Sequence, residues 1–176
     1  MEAVVAMAVL AVGLLGLAQV FVIGLNHLST SSSNLIAREK AREAVESVHT
    51  ARDMRVITWA RIRNEEALAE EDANWGACNS AGGGVFNNGG QALSAAGADG
   101  LVNTDDDGDI ERVTTPGVDG VLGTEDDFEL PLDTFSREVQ ICDINNNLRE
   151  IRVTIRYSVG QIQREYRLRT FISSFS

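Results

Sequence analysis

Asn103, Asp105, Asp107, Asp109 and Glu111 put oxygen ligands at alternate positions of one short segment, Asn103-Thr104-Asp105-Asp106-Asp107-Gly108-Asp109-Ile110-Glu111. Alternate carboxylates can wrap one hard cation, and a glycine after the third ligand permits the sharp turn. Oxygens at positions 1, 3 and 5, Gly at 6, a backbone carbonyl at 7 and an apolar residue at 8 make up the first part of an EF-hand-type calcium loop. The twelfth position holds Thr114 in place of a bidentate Glu. Ca2+ would therefore bind weakly, or with a distant acid completing the set. The other reading is a solvated acidic loop that holds nothing tightly.

A second acidic segment offers that distant acid. Gly97-Ala98-Asp99-Gly100-Leu101-Val102-Asn103-Thr104-Asp105-Asp106-Asp107 is repeated, with a period of 20, as Gly117-Val118-Asp119-Gly120-Val121-Leu122-Gly123-Thr124-Glu125-Asp126-Asp127. Two copies are too few for a solenoid and read as two similar turns, each presenting acids.

Cys78 and Cys142 are the only cysteines. An even count in an exported domain points to a disulfide, worth ~4 kcal/mol for a loop of this size on the chain-entropy model. Two free thiols in a cytosolic domain is the competing reading. No HExxH, GxSxG or CxxC is present, and neither His27 nor His49 has a neighbour that makes a metal pair or a triad. No enzyme is expected. Trp59 and Trp75 read as packing or interface residues. The Gly-rich stretch at 76–100 lacks the Gly-Lys-Ser/Thr of a phosphate cradle.

Glu2 is the remaining polar group of interest. It precedes an apolar run from Ala3 to Leu25, 23 residues long, in which Gln19 is the one strongly polar member. A helix of that length covers ~35 Å, enough for a bilayer core of ~30 Å. A cleaved signal peptide would need a basic start and a shorter apolar core. An ionised carboxylate in hydrocarbon is costly, so Glu2 needs a partner or a place at the interface.

The elements that must position these residues follow from composition and period. Residues 1–25 form a transmembrane or filament-core helix. Residues 26–75 continue it as an amphipathic helix, with Ala41, Ala44, Val45, Val48 and Ala51 on one face, ending near Asp53. A short second helix starts at Thr58, whose hydroxyl can cap it. Residues 76–135 read as a Gly-rich and acidic loop region. Residues 136–176 form an antiparallel sheet of three strands with one face buried, since Ile151, Val153, Ile155 and Tyr157 alternate with Glu150, Arg152, Thr154 and Arg156. The fold class is thus α+β, a long N-terminal helix, half of it transmembrane, packed on a C-terminal antiparallel sheet. The net charge of −11 argues against a nucleic-acid partner. Eleven acids and one arginine lie between Asp99 and Glu129, whereas 136–176 is rich in arginine.

The stretch from Glu2 to Ala18, EAVVAMAVLAVGLLGLA, resembles the N-terminal helix of the type IV pilin superfamily, and its LAVGLLGLA portion is most similar to PilV-like minor pilins, the type IV pilus modification proteins. The match covers about residues 2–25. The resemblance implies a pilin-like fold and a minor subunit for pilus assembly or modification, with roles in adhesion and motility. It implies that Glu2 pairs with the terminal amine of a neighbouring subunit. Other pilins, a prepilin peptidase and the bacterial inner membrane are the implied partners. The protein would be single-pass with a periplasmic domain, and later part of a surface pilus. Calcium held in an acidic loop is also known among type II secretion pseudopilins. The family's basic leader, its Gly cleavage residue and its methylated Phe have no counterpart here, which implies that Met1 is an internal methionine of a longer reading frame. A type II secretion minor pseudopilin is the alternative within this machinery. A bitopic protein displaying a calcium-binding or adhesive periplasmic domain is the alternative outside it.

Overall fold

In a computed structural model the described residues form one helix, α1 (Glu2–Asp53), a single 3₁₀ turn (Trp59–Arg61) and eight strands. The strands are β1 (Leu68–Asp72), β2 (Gly76–Ser80), β3 (Gln91–Ala92), β4 (Arg112–Thr115), β5 (Phe128–Pro131), β6 (Phe135–Asn145), β7 (Leu148–Val159) and β8 (Ile162–Ser173). Residues 2–175 are described, without the side chains at 4, 8, 22, 23 and 25–30. The His27 side chain, read from the sequence as having no metal-pair or triad neighbour, falls outside them. Two compact units divide the chain, Met1–Ile36 and Ala37–Ser176.

The second unit is built around a four-stranded antiparallel sheet in the order β3-β6-β7-β8. Alternation along β7 sets its register. Ile151 faces Ile141, Val153 faces Val139 and Leu168, and Ile155 faces Arg137. Side chains at alternate positions share one face, so these residues make one layer, apolar except for Arg137. From α1, the fully buried Ala37, Ala41, Ala44 and Val48 join the core. Alanines at this spacing give a helix stripe that can approach other backbone closely. Gly160, at φ +61°, closes the two-residue turn between β7 and β8, where a residue with a Cβ would be strained.

The opposite face of the sheet was expected to meet solvent, and it does not. Cys142, Glu150, Arg152 and Thr154 are all buried. The β1–β2 hairpin covers them. Arg152 donates to the carbonyls of Trp75 (2.7 Å), Gly76 (3.0 Å) and Ala77 (3.2 Å). A disulfide joins Cys78 on β2 to Cys142 on β6, Cα to Cα 4.9 Å. This bond is consistent with an oxidising, extracytoplasmic space.

The expected class, a long half-transmembrane helix packed on a C-terminal sheet, is therefore corrected. The protein is sheet-rich, with eight strands in three sheets among the described residues. Among the described residues no helix is long and apolar enough to cross a membrane. Of α1, only Ala37–Asp53 belongs to the unit that holds the strands. Much of the difference lies at 76–135, expected to be loop, where β2 to β5 form. These strands are two to five residues long and are held by partners, Gln91 by Arg137 and Thr115 by Phe128, which override weak local propensity. The second helix shrinks to the 3₁₀ turn, and Thr58 makes no side-chain cap.

Between the 3₁₀ turn and β3 the backbone closes on itself. Asn64 bridges Phe86 in parallel, and Gly84 donates to the Asn64 carbonyl at 2.9 Å. A Cβ on Gly84 would lie 1.8 Å from the Arg63 carbonyl oxygen, so only glycine fits. The buried Asn64 amide then ties this strap to the sheet. Its Nδ2 donates to the Val139 carbonyl and its Oδ1 accepts from Ile141 N–H, both at 2.8 Å.

Candidate functional site

Glu2 stands in the first turn of α1 and is exposed. The helix dipole favours an acid there. Beyond it Val5, Met7, Val9, Leu10, Val12, Leu14, Leu15, Leu17, Val20 and Phe21 are all exposed. The first unit thus presents an acid at one end of a large apolar surface.

The two acid repeats form the same turn twice. In the first, Leu101 N–H donates to Asp99 Oδ1 (2.8 Å), Asp99 N–H to Asp106 Oδ2 (3.3 Å), and Asn103 N–H to Asp107 Oδ2 (2.8 Å). In the second, Val121 N–H donates to Asp119 (2.8 Å), Asp119 N–H to Asp126 (3.3 Å), and Gly123 N–H to Asp127 (2.6 Å). Thr104 and Thr124 hydroxyls donate to Asp106 and Asp126 at 2.9 and 2.7 Å. Asn103 and Gly123 both take positive φ, +68° and +91°. A Cβ at Gly97 or Gly117 would fall 2.3 or 2.2 Å from the aspartate across the turn. The repeat therefore records one closed hydrogen-bond pattern.

Of the acids that were expected to hold calcium, this pattern uses Asp107. Asp105 and Asp109 point to solvent, Asp107 caps the turn, and Glu111 pairs with Lys40 and Arg137. Asn103 is buried and donates from Nδ2 to the Asn87 carbonyl at 3.1 Å. The five side chains do not converge. Among the described residues no group of three or more His, Cys, Asp or Glu could hold a metal ion. The spacing of a calcium loop is present, but Asp107 serves a backbone amide and Glu111 serves cations of the chain itself, while Asp105 and Asp109 face solvent.

The turn hydrogen bonds make the acids strong. The Thr104 and Thr124 hydroxyls, followed by backbone amides, hold the carboxyls of Asp106 and Asp126 below their ordinary value of 3.8. A depressed carboxylate contributes stability above the unfolded value and loses it as pH falls through the lower folded one. Both turns should therefore persist through pH 3.8 and open only below it. Amide chemical shifts of Asp99 and Asp119 followed from pH 7 to pH 2 would check this. A midpoint at or above 3.8 would contradict it.

Behind the first turn lies a cluster of charges. Arg137 on β6 is 0 % exposed and donates to the Ser94 carbonyl at 2.9 Å. Its guanidinium lies 3.5 Å from Glu111 and 3.7 Å from Asp107. Glu111 also meets Lys40 of α1, which reaches Glu43 at 2.6 Å. Burial lowers the pKa of Arg137, against the pull of Glu111 and Asp107. For Lys40, burial acts downward, but its bonds to Glu111 and Glu43 prevail and hold the pKa above 10.5. Arg137 and Lys40 were not anticipated as partners of the acid loop. Arg137 could have been found, since it shares a strand face with Phe135, Val139 and Ile141.

On the outer sheet face a polar cleft of about 130 Å³ opens between β1–β2 and β6–β8. Trp75 lies under Arg152 and Arg167, 5.7 and 5.5 Å from the two guanidinium carbons. Arg167 pairs with Asp72, and Arg156 with Glu138, at 2.9 and 2.7 Å. Trp59 is held by Arg149 stacked at 4.2 Å, and its indole N–H donates to the Asn146 carbonyl. Both tryptophans thus sit against arginine. Compared with protein-family models, curated proteins and solved structures, the chain matches none.

Proposed function

We propose that the chain is a minor subunit of a type IV filament, akin to PilV-like pilins. The observation that carries this reading is the apolar surface of α1, with Val12 71 % and Phe21 74 % exposed, behind an acid in its first turn. An apolar surface of this extent needs other helices or lipid to cover it. Before assembly, the inner membrane covers it. In the filament, neighbouring subunits do, and Glu2 pairs with a neighbour's terminal amine. A buried pair of opposite charges in such a bundle would favour one register. The disulfide-bonded second unit is displayed outside the membrane, and a prepilin peptidase releases the subunit for assembly.

Glu2→Ala should remove the protein from sheared surface filaments by at least about tenfold, the scale of one lost charge pair. Quantitative mass spectrometry of filament and membrane fractions would read this. Urea unfolding of the variant should match that of the parent chain. Undiminished incorporation would end the proposal.

A further inference from the structure

The two acid turns are built alike and packed oppositely. In the first, Leu101 and Val102 are 0 % and 1 % exposed, and Asp107 faces the buried Arg137. In the second, the equivalent Val121 and Leu122 are 56 % and 61 % exposed, and Val118 is 97 % exposed. Asp127, the counterpart of Asp107, makes no ion pair among the described residues. One chain therefore holds a seated turn and an unseated one. The seat of the first shows what such a turn fits, a strand arginine with apolar neighbours on the same face.

β8 offers a second strand of that kind. Ile162 is exposed, and Arg164 lies two residues on, hence on the same face. Arg164 is exposed and makes no ion pair among the described residues, whereas Arg167 and Arg169 are taken by Asp72, Glu165 and Glu150. Charge is complementary. The unseated turn carries Asp119, Glu125, Asp126 and Asp127, with no lysine or arginine between positions 113 and 131.

We propose that the second acid turn docks on the start of β8 in a second copy of this chain, Val121 and Leu122 against Ile162 and the acids against Arg164. Donor and acceptor surfaces differ, so the contact is head-to-tail and adds copies in a ring or an open series. It lies within the Ala37–Ser176 unit and does not require α1 to assemble.

The test uses the full chain in detergent micelles with a benzophenone side chain at position 118. Illumination should give cross-linked dimers and larger species, with peptide mass spectra joining position 118 to the segment 162–173. Arg164→Glu should cut the yield about tenfold through like-charge repulsion, and Glu125→Arg in the same chain should restore it. Glu2→Ala should leave the cross-link unchanged, which separates this contact from filament assembly through α1. Monomer alone, cross-links to any other segment, or a yield indifferent to Arg164→Glu would overturn the proposal.

Discussion

Arg137→Ala should lower the unfolding free energy by about 3–5 kcal/mol, the usual cost of removing one member of a buried charge group. The guanidinium is fully enclosed and serves three neighbours, the Ser94 carbonyl, Glu111 and Asp107. Without it, Glu111 keeps only Lys40 as a cationic partner, and Asp107 keeps only turn donors. Arg137→Lys should not rescue the loss, because one ammonium cannot reproduce the fork that reaches separate acceptors. Lys40→Met should cost less, since Lys40 is only half-buried and Arg137 still faces Glu111. Urea unfolding with the disulfide intact measures all three. A loss below about 1 kcal/mol for Arg137→Ala would be the figure for a solvated surface pair instead.

Opening the Cys78–Cys142 bond is the other large effect. The cysteines are 64 positions apart, and the Cys78→Ser/Cys142→Ser chain should be less stable by about 2–5 kcal/mol. The loss should be uneven. The β1–β2 hairpin would then hold to the sheet through Arg152, through Gln140 bonded to Glu70, and through Arg167 paired with Asp72. β6, β7 and β8 keep their long ladders. Amide exchange should therefore quicken in β1 and β2 first, with Asn79 and Ser80 ahead of Ile151 and Val153. Uniform quickening would show that the bond supports the whole unit and not this hairpin.

Parts of this molecule could be read directly from residue order. β7 shows itself because Ile151, Val153 and Ile155 alternate with polar partners over a strand of twelve residues. The cysteine pair was legible from count and context. The middle of the chain was not, because β3 and β4 have no period of their own and exist by pairing with β6 and β5. The acid segment was ambiguous for a related reason. Carboxylates at alternate positions suit a cation, yet they equally suit the amides of a tight turn, and spacing alone does not separate the two. The exact period of the repeat was the better guide, since Gly97 and Gly117 each sit where no side chain fits beside Asp106 and Asp126. Polar residues expected to face water, Arg152 and Glu150, are buried because a hairpin distant in sequence covers them.

Put under tension, the chain could stretch only as far as its covalent cross-link, Cys78–Cys142, allows. The stretch between Cys78 and Cys142 contains β3, β4, β5 and both acid turns. Fully extended, that stretch would add roughly 220 Å of contour at ~3.4 Å per residue. The bond withholds all of it from tension. Pulling could unravel the segments before Cys78 and after Cys142, yet the acid turns would remain looped out of the line of force.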